Sequence, residues 1–146
     1  MSPTEVITSR AELLARMGLP ADPPERPKRE RHIREAAGDR TEAALLSVPH
    51  DSLEAPFQAA VKAYAINHGW VVFETRNSKR VAPGDVDLRM FRRRDKRHVW
   101  AECKTHRRGS RLTAEQAWVV GGLQAAGFEA YVWRPDDIPA ILAVLA

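Results

Sequence analysis

Residues 51–146 show a regular succession of apolar and polar positions, which predicts a compact domain. Apolar residues three and four apart predict helices, and short β-branched and aromatic runs between polar turns predict strands. The predicted elements are a helix at 51–69, strands at 70–75, 86–91 and 98–104, a helix at 113–127, a strand at 129–133 and a helix at 136–146. This order predicts an α/β sandwich whose first three strands form an antiparallel meander with helices covering the sheet.

The apolar pattern is weaker before residue 51. Ser9 and Glu12 have the spacing of a capping box, and Gly18 would end the short helix that they begin. The next stretch is rich in proline and charge and too poor in apolar residues to fold alone. A second short helix fits residues 40–48. We therefore interpret residues 1–50 as an appendage, partly disordered or in short helices, and residues 51–146 as the folded domain.

Composition excludes several classes of protein. Cys103 is the only cysteine, which excludes an internal disulfide and a cysteine-rich zinc site. The five histidines show no close metal-ligand spacing. No apolar run is long enough to span a bilayer, and the first residues lack the pattern of a signal peptide. We therefore expect no membrane partner and a cytoplasmic location.

The net charge of +4 is unevenly distributed along the chain. Residues 76–111 hold thirteen Lys and Arg against four Asp and Glu, a concentration that fits contact with phosphates. A solvated hairpin rim is the alternative interpretation. The predicted DNA-contacting residues lie in three loops of this stretch and are Arg76, Lys79, Arg80, Arg92, Arg93, Arg94, Arg107, Arg108 and Arg111.

Strand alternation places two acids and a lysine together. In the third strand, Glu102 and Lys104 share the face opposite to Cys103. In the second strand, Asp87 lies on the face opposite to Val86, Leu88 and Met90, and a hairpin between the two strands would bring Asp87 beside Glu102. Two adjacent carboxylates repel unless a positive group lies between them. They could hold Mg²⁺, which prefers oxygen ligands, or they could pair with Lys104 and nearby arginines in a structural network.

Four short motifs add to this picture. Glu54 lies on the first predicted helix, "GDVD" begins the second strand, "ECK" ends the third strand, and "TAEQ" opens the second helix. In this order they resemble the PD-(D/E)xK nuclease superfamily, and most closely its VRR-NUC branch. The resemblance implies a restriction-endonuclease-like core, in which helix, three-strand meander, helix and strand form a mixed sheet flanked by helices. Val86 departs from the family pattern, because proline is usual at that position.

The resemblance also implies a role for each matched residue. Asp87 and Glu102 match metal ligands, the backbone carbonyl of Cys103 would be a further ligand, and Glu54 would bind the metal directly or through water. Lys104 matches the catalytic lysine, Gln116 matches a glutamine that supports the site, and Gly84 matches the turn glycine. Glu54 and Gln116 also have capping-box spacing with Asp51 and Thr113, so a purely structural role for both remains an alternative.

The resulting hypothesis is a Mg²⁺-dependent DNA endonuclease, with Mn²⁺ as a substitute metal. The resemblance implies structure-specific cleavage of branched, flap or junction DNA in repair or recombination. It also implies a bacterial or phage-infected host cell, and a Holliday junction resolvase would act as a homodimer. The alternatives are a non-catalytic nucleic-acid-binding module of the same fold and a small toxin or partner-binding protein.

Overall fold

The structure, a computed structural model, describes residues 9–20, 40–75 and 82–146. The chain divides into two compact units, Met1–Arg31 and His32–Ala146.

The first unit contains a short helix, α1, at Arg10–Arg16. The Ser9 hydroxyl accepts a hydrogen bond from the backbone N–H of Glu12 at 3.2 Å, so the predicted serine cap is confirmed. Gly18 follows the helix at φ +66°, a left-handed conformation that glycine adopts without steric cost.

The second unit holds all the other elements. They are α2 (40–46), α3 (Glu54–Asn67), β1 (Val71–Glu74), β2 (Leu88–Arg92), β3 (Arg97–Cys103), α4 (Ala114–Ala125), β4 (Glu129–Trp133), a 3₁₀ turn (Pro135–Asp137) and α5 (Ile138–Leu145). Every element predicted after residue 51 is present, with ends that differ by a few residues. Within the described ranges, no helix is long and apolar enough to cross a membrane.

The four strands form one sheet in the order β1-β2-β3-β4. β1, β2 and β3 pair antiparallel, which confirms the predicted meander, and β4 pairs parallel to β3. The parallel pair requires a crossover, which α4 supplies. The molecule is therefore an α/β protein with a mixed sheet flanked by helices.

The main core lies between one face of the sheet and helices α3 and α5. Phe57 and Val61 of α3 and Ile141 of α5 are fully buried there. They cover the β3 face that carries Val99, Ala101 and Cys103, which were predicted to pack beneath a helix. The opposite face carries a smaller core under α4, with Val86, Val120 and Ala130 at its centre.

The predicted domain boundary at residue 50 is wrong. Leu45 of α2 is fully buried in the main core, and Val48 packs against the same core. The second unit accordingly begins at His32. A short helix with one buried leucine carries too little apolar periodicity to reveal this role from sequence.

The predicted position of Val86 is also wrong. Val86 packs in the smaller core under α4, whereas Leu88 and Met90 belong to the main core. The reason is that Val86 lies in the turn before β2, where strand alternation no longer holds, whereas Asp87, next to the first residue of β2, still lies beside Glu102.

Candidate active site

Two acids lie side by side where β2 begins and β3 ends. Leu88 pairs with Ala101, and continuing this register places Asp87 opposite Glu102. The backbone N–H of Asp87 donates to Oε2 of Glu102 at 3.3 Å, and the backbone N–H of Cys103 donates to Oδ2 of Asp87 at 2.8 Å. The predicted proximity of the two carboxylates is confirmed, and each carboxylate is held by main chain from the other strand.

Lys104 completes this cluster. Its Nζ lies 3.0 Å from Oε1 of Glu102 and 3.2 Å from Oε1 of Glu54. The backbone N–H of Lys104 donates to the carbonyl of Trp133 at 2.8 Å, which fixes the end of β3 against β4. The lysine side chain is 10 % exposed and the Glu102 side chain 1 %. The ammonium group is therefore held by carboxylates in a largely dry environment.

Glu54 lies at the first residue of α3 and points its carboxylate at Lys104. The predicted cap by Asp51 is wrong, because the N-cap residue is Leu53 and no side chain caps the helix. Glu54 is therefore not the second half of a capping box. Its contact with Lys104 brings the first helix to the site, as the family resemblance implied.

Gln116 has both of the roles that the sequence offered as alternatives. Its Oε1 accepts a hydrogen bond from the backbone N–H of Thr113 at 2.9 Å, and its own backbone N–H donates to the Thr113 hydroxyl at 3.1 Å. At the same time its Nε2 donates to Oε1 of Glu102. The capping box thus holds the amide in position to support the buried acid.

Gly84 lets the turn before Asp87 approach α4. Its φ is +84°, and a Cβ at this position would lie 2.7 Å from the carbonyl oxygen of Glu115. No side chain fits there without moving main chain. In the same turn, Asp85 accepts a hydrogen bond from the Thr75 hydroxyl at 3.3 Å, which ties the turn to the end of β1.

The pKa values of the cluster are shifted by burial and by mutual charge. Burial raises the pKa of Asp87 above its ordinary value, against the lowering effect of the Cys103 hydrogen bond. Burial, and then the Asp87 charge, raise the pKa of Glu102. Burial lowers the pKa of Lys104, but the hydrogen bonds and charges of Glu102 and Glu54 outweigh it and leave that pKa raised. Lys104 is therefore protonated at neutral pH, and ionisation of either acid is less favourable than in water.

The donor set fits a divalent cation. When ionised, Glu54, Asp87 and Glu102 carry three negative charges, and Lys104 balances one of them. Two negative charges remain in a half-buried place. Carboxylate oxygens are the ligands that Mg²⁺ prefers. The structural-network alternative therefore accounts for Lys104 but leaves the second inner carboxylate without a cation among the described residues.

Cys103 takes no part in the cluster through its side chain. The thiol is buried in the main core, and burial raises its pKa well above the ordinary value. A thiol in that environment stays protonated and is a poor nucleophile. Ligation by its backbone carbonyl, which the resemblance implied, stays a prediction.

The predicted DNA-contacting residues fall into separate places. Arg92 must be removed from the set, because it is 4 % exposed and donates to Asp95 and to the carbonyls of Leu145 and Ala146. Its buried guanidinium cannot reach a phosphate. Arg93 and Arg94 are exposed in the same hairpin turn. This turn begins at Arg93, six residues along β2 from Asp87, which is about 20 Å.

A different basic loop lies at the acidic end of the sheet. Arg107, Arg108 and Arg111 follow directly after Lys104, and all three are exposed. The Arg107 Nε donates to the carbonyl of Asp51 at 2.7 Å, which ties this loop to the segment before α3. Arg76, Lys79 and Arg80 lie outside the described residues. The structure therefore favours the loop after β3 over the β2–β3 hairpin as a phosphate-contacting region.

A second group of metal-ligand residue types was missed by the sequence analysis. The Nε2 atoms of His50 and His106 lie 3.3 and 3.0 Å from the two carboxylate oxygens of Asp136, and the two rings stack with centroids 4.1 Å apart. The three residues come from separate segments, so no spacing in the sequence signals the group. All three are exposed, and the polar contacts of both rings with Asp136 account for their arrangement.

Comparison with known proteins yields no match: no family model, curated protein or solved structure is significantly similar to this chain.

Proposed function

We propose that this protein is a Mg²⁺-dependent nuclease that hydrolyses phosphodiester bonds in DNA, as the resemblance to the VRR-NUC branch of PD-(D/E)xK nucleases implied. The observation that carries the proposal is the charge of the Asp87–Glu102–Lys104 cluster. Burying two adjacent carboxylates with one lysine raises the pKa of both acids and leaves negative charge uncompensated. A purely structural network has no need of the second acid.

Asp87 and Glu102 would hold the metal, with Glu54 at the edge of the site. When bound, the metal would polarise the phosphate and make a bound water more acidic. The protein prepares this arrangement through one main-chain contact and one side-chain contact. The Cys103 N–H fixes one oxygen of Asp87, and the Gln116 amide fixes one oxygen of Glu102.

Lys104 would supply positive charge to the reacting phosphate. Its raised pKa keeps it protonated at neutral pH, so it acts as a donor and not as a base. Held by Glu102 and Glu54, its ammonium is in place before substrate arrives. Positioned charge in a dry site stabilises developing negative charge far better than the same charge in water.

The non-catalytic alternative has a specific prediction of its own. A module that binds DNA without cutting it does not need Asp87 or Glu102, because these acids repel phosphate. Neutralising either acid would then strengthen DNA binding and would remove no activity.

The test is incubation of the full chain with linear, flap and four-way junction DNA in Mg²⁺, Mn²⁺ or EDTA. We expect cleavage of at least one branched substrate that requires the metal and is lost in Asp87→Asn. Absence of cleavage from every substrate in both metals would contradict the proposal. Symmetric cuts across a junction would further support a homodimer, which sedimentation would measure independently.

A further inference from the structure

Among the described residues, the helix on the α4 side packs over only part of the sheet. α4 packs over β3 and β4 through Val119, Val120 and Leu123, and this cluster includes no residue of β1 or β2. On those two strands Phe73 is 54 % exposed and Phe91 41 % exposed. Apolar side chains of this size are normally buried, so two adjacent exposed rings indicate a binding surface.

The exposed rings form a continuous surface with the candidate active site. Strand pairing gives successive rows across this face. Asp87 and Glu102 form one row, Phe73, Arg89 and Trp100 the next, and Phe91 and His98 the third. Neighbouring rows on one face of a strand are about 7 Å apart, close to the distance between successive phosphates of an extended nucleic-acid strand.

The rings are arranged as pairs. The Phe73 and Phe91 rings lie 6.2 Å apart with an interplanar angle of 30°. Phe128 closes the side toward α4, with its ring 5.0 Å from His98 and 6.3 Å from Trp100. The surface therefore carries several aromatic rings close together.

Arg89 lies at the centre of this surface. It is half-buried, and its Nε has no hydrogen-bond partner within the described part of the chain. No acid of the described residues lies within ion-pair distance of its guanidinium, in contrast to Arg92 and Arg97 of the same hairpin. Arg89 pairs in register with Phe73 and Trp100, and a cation beside aromatic residues that has no carboxylate partner among the described residues is complementary to a phosphate.

We propose that the surface formed by Phe73, Arg89 and Phe91 binds unpaired nucleotides of a DNA strand beside the catalytic acids. Unpaired bases stack on the two phenylalanine rings, and Arg89 contacts the backbone between them. Stacking requires bases free of a duplex, so the surface selects flaps and single-stranded gaps and not intact duplex. The identity of the strand as DNA rests on the proposed function, whereas the binding mode rests on the surface alone.

The test measures binding of the full chain in EDTA to fluorescein-labelled single-stranded dT20 and to a 20-base-pair duplex. We expect Phe73→Leu with Phe91→Leu to weaken dT20 binding about tenfold per lost stacked base, with no measurable change on the duplex. Phe73→Tyr with Phe91→Tyr keeps both rings and should bind dT20 as the parent does. Arg89→Gln should lower the salt slope on dT20 by about 0.7 for one lost phosphate contact.

Trp118→Leu is the matched control. Trp118 is 80 % exposed on α4, so the same kind of change is made outside the proposed surface. Melting curves of all variants check that the fold is retained, which we expect because Phe73 and Phe91 are largely exposed already.

Unchanged dT20 affinity in the leucine variant would overturn the inference, and so would an equal loss on dT20 and duplex. Ring-dependent dT20 binding without cleavage of any substrate would support this inference and contradict the nuclease proposal. Metal-dependent cleavage of flap DNA that does not depend on the Phe73 and Phe91 rings would support the nuclease proposal and contradict this inference.

Discussion

Arg92 and Glu102 are both buried charges of the β2–β3 hairpin, at opposite ends of the two strands. Arg92 donates to Asp95 at 2.6 Å, to two main-chain carbonyls near the end of α5, and lies 4.5 Å over the Trp70 ring. Its charge is balanced by Asp95, and its N–H groups donate to Asp95 and to the two carbonyls. Glu102 has Asp87 as its neighbour and shares one lysine with Glu54, so negative charge is left over.

The difference separates a matched ion pair from a cluster with surplus acids, which is the feature that the proposed metal site requires. At the Arg92 end, the hydrogen bond with Arg92 lowers the pKa of Asp95, as expected where a charge is stabilised by its partner. At the Glu102 end, burial raises the pKa of both acids. A protein that only needed to join two strands would not keep such an arrangement, since a hydrophobic pair of similar volume would be at least as stable.

The largest expected effect is on cleavage. Asp87→Asn and Glu102→Gln each remove one negative charge from the acidic cluster while keeping the shape of the side chain. We expect each to lower metal-dependent cleavage about 10³-fold or more under single-turnover conditions, the upper range for losing one preorganised electrostatic contact. Melting temperature in EDTA should stay the same or rise. Cutting at the parental rate by either variant would contradict the assignment of the site.

Arg92→Ala tests the other end of the hairpin. It removes the partner of Asp95 and a donor to the carbonyls of Leu145 and Ala146. We expect the free energy of unfolding to fall by about 3 kcal/mol, at the lower end for a broken buried pair because Asp95 stays partly exposed. Urea unfolding measures this loss. Cleavage per folded molecule should not change. If the free energy of unfolding of Arg92→Ala equals that of the parent, the contacts of Arg92 do not contribute to stability.

Lys104→Met keeps the length of the side chain without its charge. We expect the single-turnover rate to fall about 10²-fold at saturating DNA, because the lost ammonium stabilises developing phosphate charge. Lys104→Arg is the control that restores a cation of different shape. If saturating DNA recovers the full rate in Lys104→Met, the lysine binds substrate and does not act on the reaction.

The pH dependence of stability should have opposite signs at the two ends. The raised pKa values of Asp87 and Glu102 mean that the native state holds their protons more tightly than the unfolded state. Both acids therefore reduce stability as pH rises from their ordinary range through the raised values. The lowered pKa of Asp95 adds stability that is lost as pH falls. Urea unfolding of Glu102→Gln in EDTA should show a smaller loss from mildly acidic to neutral pH than the parent. An identical profile would show that Glu102 does not titrate as inferred.

The smallest expected effect concerns the exposed arginines. Changing Arg107 and Arg108 to Gln should flatten the slope of log affinity against log salt on duplex DNA by about one to two units, because their loop follows Lys104 directly. The same change at Arg93 and Arg94, which lie about 20 Å or more from Asp87, should leave the slope nearly unaltered. Equal effects of the two double variants would place the DNA path along the whole hairpin.

Local sequence patterns were sufficient to predict the strands of the sheet and the proximity of Asp87 and Glu102. The limits of β4 follow from its turns and its β-branched and aromatic run, and the pairing of Asp87 with Glu102 follows from strand alternation across a short hairpin. The failures depend on distant partners. Arg92 belongs to a basic run that looks exposed, and it is buried by Trp70, some twenty residues earlier, and by the end of α5, some fifty residues later.

Two further failures have the same origin. Leu45 sits on a short helix with no apolar repeat, so its burial depends on α3 and α5 and not on its own neighbours. The row of Phe73 and Arg89 beside the acids needs the register of β1, β2 and β3 together, which no local pattern provides. Prediction succeeded where neighbours in sequence decide the structure, and it failed where the fold brings remote segments together.

Because the Gln116 side chain contacts Glu102, hydrogen bonding in the first turn of α4 depends on the state of that carboxylate. Its amide is divided between the Thr113 N–H and Glu102. Protonation of Glu102, or engagement of its oxygen, would redirect that amide and change the protection of the Thr113 N–H. Hydrogen exchange at Thr113 and Gln116 would then follow the state of the buried acid in a protein that carries no label at the site.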